Sequence, residues 1–424
     1  MFAIDEKYLR VVTQQSQRTE MTMNLAEPDT RTFRSYIVFW AGQLASLAGS
    51  NVVTFSLTWW ITVQTGSAFF LGISAFFGFG SFILITPIAG VLVDRWSRKK
   101  VIITADSLLA LLSFSLIVLF LLGVTNIIHV LILQLIAGLI GAFHAMAVQA
   151  IIPIMVPQKH LTRMNSLNYF ATALVQTIGP AIGALVFILF LGDMARILFI
   201  DIGSYLLAIF PAILVTIPAV RAKTAVDKLS FRQEFADGLR FIRNRSGLLT
   251  LLSVFTAANF LLPPLFILLP LYSTTIIALG DQILAVIYLG ALMSLQSASM
   301  MIASAIMMFG GGFKRNVLGV VVGLFFGAIG MLTLAISPPG FFWIAAFGII
   351  LTGFTIPIAN ISSQTIWQKV VAPEKIGRVF SVRTTIAQFT GPFAFLVAGI
   401  LADLFSIPLI FLVFGGAMIA FLIV

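Results

Sequence analysis

The sequence predicts an all-α integral membrane protein: twelve transmembrane helices in two six-helix bundles, with both termini cytoplasmic. Three observations carry that prediction. The chain of 424 residues is 60% hydrophobic and only 9% charged, against about 25% charged in a soluble domain. Apolar runs of membrane-spanning length recur from end to end, and the ten-residue alternation of a barrel is absent. Basic residues return in every second loop, the parity that the positive-inside rule demands.

Taken in order, residues 1–34 are polar, mixed in charge and without an apolar h-region, so they read as a cytoplasmic tail and not as a cleaved signal. Apolar runs between polar breaks then place spans 1 to 6 at 35–63, 69–91, 100–123, 127–154, 166–191 and 195–217. Together these make an N-terminal bundle, 35–217. The long polar stretch 218–247 divides it from a C-terminal bundle, 248–424. In that stretch Ser230 and Gln233 have capping-box spacing, and Phe231, Phe235, Leu239 and Ile242 share a helical face, which predicts a short helix on the cytoplasmic membrane surface. Spans 7 to 12 follow at 248–273, 282–309, 316–336, 340–368, 380–402 and 405–424. Runs longer than 25 residues imply tilt or extension beyond the bilayer core.

The placement of charge fixes the topology. Every Lys and Arg except Arg196 lies in the tail, in an even-numbered loop or at the start of span 11. The net charge of +10 is thus a topology signal and not a nucleic-acid surface. The chain has no Cys, which excludes disulfides and thiol chemistry, and His129, His144 and His160 are too scattered for a metal-ligand cluster. The sequence holds no phosphate-binding Gly loop and no nucleophile elbow, so neither an enzyme nor an ATP-driven pump is expected, and no cofactor.

The two halves also resemble each other. Gln149, Arg163 and Ser166 recur as Gln364, Arg378 and Ser381, all 215 positions on, as do Lys99–Lys100 as Lys314–Arg315. Gly179–Pro180 returns as Gly391–Pro392. Parallel repeats facing each other across a midplane cavity are an architecture of secondary transporters.

The densest knot of charge is "GVLVDRWSRKK", residues 90–100. A Lys or Arg at the bilayer centre costs about 2.5–3.5 kcal/mol on insertion scales, so the knot belongs in the loop between spans 2 and 3. A simple stop signal accounts for its Lys and Arg. Gly90, one turn before Asp94, would permit close helix approach, and Asp94 is placed to pair with cations or to face a helix N-terminus.

This stretch resembles the loop 2–3 signature of the major facilitator superfamily, with Gly90, Leu92, Asp94, Arg95, Arg98 and Lys99 matching and Ser97 standing where that family usually has Gly. The resemblance runs from Phe33 to Val424. It implies the twelve-helix facilitator fold and a gating latch that engages the opposite half. The second-half counterpart, "GGGFKRN" at 310–316, lacks the acid. "FWAGQLASLAGS" in span 1, "TGSA" at 65–68, "TADSLLALL" in span 3 and "FIDIGSYLLA" in span 6 resemble the macrolide-efflux and enterobactin-exporter-like branch. "TIGPAIGA" at 177–184 is similar to the antiporter motif of span 5, with Ala184 in place of a final Gly. The branch implies export of drugs or siderophores in exchange for protons, from the cytoplasmic (inner) membrane of a bacterium, by a monomer with lipid, substrate and protons as its partners. Drug antiporters of the superfamily often carry Arg in span 4, four residues before a Gly. Here that position is Gln134, before Gly138, which leaves the coupling residue open.

Candidate cavity residues follow from polarity inside apolar spans. Gln43, Ser46, Ser50 and Thr54 share one face of span 1, either lining a water-filled cavity or gluing helices together. Gln134, Gln176, Asn259, Gln296, Asn360 and Gln388 are scattered amides among Phe and Met. An apolar cavity with few amides suits bulky amphipathic molecules. Asn259 precedes Pro263 and Pro264, where span 7 should bend, and Gly179–Pro180 and Gly391–Pro392 are further expected bends. For coupling, intramembrane titratable groups are functional candidates by default: Asp106, Asp201 (with Tyr205 one turn on) and His144, while Asp403 ends span 11. Asp106 and Asp201 could shuttle a proton, or could cap a helix or pair with a neighbour such as Arg196. A lipid or lysolipid transporter, an uncoupled facilitator, and a non-transporting receptor or assembly protein on this scaffold are the competing readings.

Overall fold

A computed structural model describes residues 30–93, 95–217, 231–371 and 376–423. Among them the chain is helical apart from short turns. Eleven helices are long and apolar enough to cross a membrane. Span 1 is Thr30–Thr65, span 2 Ala68–Val93, span 3 Arg98–Leu121, span 4 Ile127–Met155, span 5 Gln158–Leu189 and span 6 Met194–Leu214. Span 7 runs Ser246–Ile277, span 8 Gln282–Phe309, span 9 Asn316–Ile336, span 10 Phe342–Val370 and span 11 Ile376–Leu404. The twelfth predicted span corresponds to Ile407–Ile423, an apolar helix of 17 residues. At 1.5 Å per residue it covers about 26 Å, slightly less than a hydrocarbon core of about 30 Å.

The largest boundary difference is at span 5, whose helix begins at Gln158 where the sequence reading has a loop to 165. The polar run around Lys159 and Arg163 is a helical extension beyond the apolar segment, which a hydropathy reading cannot see. Span 7 bends as expected: one helix ends at Leu261 and the next starts at Pro264. Proline has no N–H to donate and clashes with the preceding turn, so the ladder restarts. Pro180 and Pro392, in contrast, sit inside continuous helices.

Contacts between helix ends sort the loops into two faces. Phe33 stacks on His160, and Lys99 Nζ reaches the carbonyls of Ile213 (2.6 Å) and Val215 (2.7 Å). These mark the basic end. At the opposite, charge-poor end the acids act as N-caps: Asp193 accepts from Arg196 N and Asp281 from Leu284 N. Both close the same Leu-Gly-Asp turn, with Gly192 and Gly280 at positive φ as such tight reversals require.

The segment Phe231–Arg243 is a helix. Its Ile242 is buried in a cluster with Leu248 and Val379, at the starts of spans 7 and 11, while Leu239 on the predicted apolar face is exposed. Ser230 and the rest of 218–230 lie outside the described residues.

Spans 1, 5 and 6 pack closely. A Cβ on Gly42 would lie 2.6 Å from Leu207 O, and one on Gly179 3.0 Å from Asn51 Cβ. Two seams join spans 1–6 to spans 7–12. Span 5 packs on span 8, where a Cβ at Gly290 would meet Ala184 Cβ at 2.8 Å, and span 2 packs on span 11, where one at Gly72 would meet Phe395 O at 2.5 Å. Further along the second seam Gly80 faces Pro392, and Phe76 packs on Phe393.

Candidate functional site

Two polar clusters form inside spans 1–6, built on the predicted stripe of span 1. In the first, nearer the basic end, Gln43 Nε2 donates to Asp106 Oδ2 (3.2 Å). His144 Nε2 lies 3.0 Å from Asp106 Oδ1 and 3.0 Å from Gln43 Oε1. Asp106 is 1% exposed and His144 23%. The sequence reading treats these three as separate candidates. The fold makes them one triad, because spans 1, 3 and 4 meet there.

The second cluster centres on Asp201 of span 6, which is 5% exposed. Ser50 Oγ is 2.9 Å from Asp201 Oδ1 and Ser113 Oγ is 2.6 Å from Oδ2. Ser50 Oγ is also 3.3 Å from Tyr205 OH. A serine has one proton. If Ser50 gives it to the carboxylate, it takes the tyrosine's in turn, so Tyr205, Ser50 and Asp201 form a chain. Arg196 is not part of it: its Nε pairs with Asp193 Oδ2 at 2.9 Å, at the charge-poor end. Among the described residues Asp201 has no cationic partner.

Beside Asp201 lies a partly open cavity of about 160 Å³, lined by Ser50, Thr54, Ser113, Gln134, Asp201 and Tyr205 together with Leu and Val side chains. That is room for a few waters, each of which takes about 30 Å³ in the liquid. Gln134 accepts a hydrogen bond from Ser74 of span 2. Ser113 is missed by the sequence reading. Its signal is its spacing, two helical turns after Asp106 on the same face.

The remaining amides divide. Gln176 and Gln388 are exposed one turn before Pro180 and Pro392, on the faces that meet the other half. Asn360 and Gln364, one turn apart on span 10, are exposed too. Asn360 and Gln364 lie in the basic-end half of span 10, and Gln176 stands beside a further seam contact, Thr177 Oγ1 to Met301 Sδ (3.3 Å). Gln296 is different: it is buried and its Nε2 donates to Thr352 Oγ1 (3.2 Å), a helix–helix bond. Asn259 donates back to Phe255 O, and Ser46 is buried in the wall.

The gating motif is also redistributed. Asp94 lies outside the described residues. Gly90 is not a close-approach position, since a Cβ there would meet only Met146 Sδ at 4.0 Å. The tight approaches of span 2 lie elsewhere: Gly72 and Gly80 meet span 11, and a Cβ on Gly138 of span 4 would run into Gly78 O. Lys99 caps the C-terminus of span 6 through the two carbonyls given above, a favourable place for a cation. Arg98 opens span 3 and Arg95 is exposed in the turn before it.

At the charge-poor end Asp403 does more than finish span 11. Its carboxylate accepts from Ser67 Oγ (2.6 Å), Ala68 N (2.7 Å) and Phe69 N (3.3 Å), capping the N-terminus of span 2 across the seam. In the second half, Arg383 lies inside the helix of span 11 with its guanidinium 5.4–5.9 Å from the ring centroids of Phe380, Trp367 and Phe255. The sequence reading counts it only as a topology charge at the start of span 11.

Known proteins bear on this geometry. The Major Facilitator Superfamily profile matches residues 39–394. Macrolide efflux protein A of Streptococcus pyogenes is 25% identical over 389 residues, covering 92% of this chain and 94% of that one. The multidrug efflux pump Tap of Mycolicibacterium fortuitum is 28% identical over 377 residues, 85% and 87% of the two chains. The crystal structure of the nucleoside transporter NupG in a mutant form superposes with a TM-score of 0.73 over 92% of this chain and 98% of the other, at 13% identity, a likeness of fold.

Proposed function

The chain belongs to the Major Facilitator Superfamily, and from that premise we propose that it exports amphipathic small molecules, macrolide-like drugs or siderophores, in exchange for protons. Membership makes it a transporter and not an enzyme, and a multi-pass protein of the bacterial cytoplasmic (inner) membrane.

One observation carries the coupling: Asp201 is a buried carboxylate held by two serine hydroxyls, with a cavity beside it and, among the described residues, no cationic partner. An ionised carboxylate is costly to bury unpaired. The economical state of Asp201 is therefore protonated when the cavity is shut, and ionised when water reaches it. That is the cycle a proton-coupled transporter needs. The Asp106–His144 pair supplies a second proton-accepting group nearer the basic end, two turns along the stripe of span 1 from Ser50 of the Asp201 cluster.

In this reading the chain has twelve spans in two six-helix halves, with both termini cytoplasmic and the basic end facing the cytoplasm. The conformation is then open inward. The seams are shut outside by Asp403 on span 2 and by the glycine contacts, and the exposed amides Gln176, Asn360 and Gln388 line the cleft that substrate enters. Turning outward breaks the Asp403 cap and closes the basic end, where Arg95 and Asp94 act as the latch. The low density of amides among Phe and Met suits bulky, partly apolar substrates, in keeping with the names of the two efflux relatives.

The test is transport in proteoliposomes under an imposed pH gradient, with a panel of macrolides, dyes and siderophores, comparing wild type with Asp201→Asn. Gradient-driven accumulation that the variant loses supports antiport through Asp201. Accumulation that survives moves the proton to Asp106 and His144, and a panel that never moves removes the exporter reading.

A further inference from the structure

A second cavity lies outside the transport path. It is a groove of about 690 Å³ between the basic-end half of span 3, with the turn before it, and the middle of span 4. Its floor is apolar, formed by Val101, Ala105, Leu108, Ile140 and Phe143. Trp96, 52% exposed, stacks on Phe143 with ring centroids 6.0 Å apart and planes 17° apart, and so makes one wall. Arg95 and Lys100 stand at the mouth. No carboxylate among the described residues lies within ion-pair distance of either. The start of span 3 opens on the same mouth, and Ser97, its N-cap, makes no side-chain cap bond there, so the positive end of that helix adds to the two cations.

The groove opens away from the bundle. Span 3 packs on spans 4 and 6, and along its free side Leu108, Leu111 and Phe114 are exposed in succession. Ile136 and Ile132 continue span 4's side in the same way. In a membrane protein such a surface meets acyl chains. The groove is thus an extension of the lipid-facing surface, ending in two cations at the depth of the headgroups.

We propose that this groove binds an anionic phospholipid. The headgroup phosphate seats against Arg95, Lys100 and the start of span 3, and an acyl chain lies over Ala105, Leu108 and Ile140. Basic pockets between helices on the positive face are suited to such headgroups. The apolar floor adds a shape requirement that a patch of surface charge lacks.

Native mass spectrometry of the protein released from phosphatidylcholine nanodiscs, with and without phosphatidylglycerol, tests this. Wild type should retain phosphatidylglycerol. R95Q and K100Q should each weaken retention about fivefold, from about 1 kcal/mol per cation. Thr104→Trp fills the groove from an exposed position and leaves both cations in place; it should lose retention equally, with its melting temperature in phosphatidylcholine confirming the fold. K314Q/R315Q removes the same charge from the loop after span 8, whose Lys314 and Arg315 do not line this groove, and should retain the lipid. Equal loss in R95Q/K100Q and K314Q/R315Q, or full retention by Thr104→Trp, would overturn the site in favour of diffuse attraction to a basic face.

Discussion

Spans 1–6 bury two carboxylates, Asp106 and Asp201, each tied to side chains of neighbouring spans. Among the described residues of spans 7–12 the only carboxylate is Asp403, exposed at the end of span 11. The second half invests instead in close backbone packing. Span 9 carries Gly319, Gly323, Gly327 and Gly330 along its contact with span 10, where a Cβ at Gly323 would lie 2.6 Å from Ala359 N and one at Gly330 2.5 Å from Gly348 O. Small residues let membrane helices approach without a hydrophobic drive between them. Arg383, two turns into the helix of span 11, is held on aromatic faces. The contrast teaches that two halves with matching sequence landmarks divide the work: titratable chemistry in the first, a stiff counterpart in the second.

The largest test of that division is Asp201→Asn. It keeps the shape of the side chain and removes its proton chemistry, so gradient-driven transport in proteoliposomes should fall to background while substrate exchange without a gradient persists. If a gradient still drives uptake, the first half does not own the coupling. Next in size is Gly330→Val. Overpacking costs about 1–3 kcal/mol, so the variant should melt several degrees lower in detergent; an unchanged melting temperature would mean that the glycine contact of spans 9 and 10 does not hold the second half together.

His144→Gln is expected to act more moderately. Glutamine can still donate to Asp106 but cannot carry a proton's charge, so gradient-driven transport should weaken several-fold while substrate exchange without a gradient persists. An equal loss in both assays would make the triad structural. The smallest effect is reserved for Asp403→Asn. A carboxylate at a helix N-terminus contributes about 0.3–1 kcal/mol, so its neutral form should shift the population toward the outward-open state about two- to fivefold, read by labelling of a cysteine placed on the charge-poor side of the seam. No shift would leave the outer closure to the glycine contacts alone.

Much of this protein is set by composition and periodicity. A chain with so few charges must sit in lipid, every lipid-exposed backbone group must be bonded within its own segment, and helices of membrane length follow from that. Solvation thus fixes span positions to within a few residues for most helices, and the parity of Lys and Arg predicts an orientation. The polar stripe of span 1 is equally legible, since Gln43, Ser46, Ser50 and Thr54 need only the pitch of a helix to share a face.

What only the tertiary structure decides is which polar groups meet. Nothing in the chain order links Gln43 to Asp106 and His144, or Asp201 to Ser50 and Ser113; those partnerships arise where spans 1, 3, 4 and 6 converge. The reach of Asp403 across 335 residues to Ala68 N, the aromatic seat of Arg383 and the lipid-side groove under Trp96 have the same origin. Hydropathy is a property of single residues summed along a segment. Hydrogen bonds and cation–aromatic contacts depend on distances of a few ångströms between segments, and those are fixed only when the helices pack.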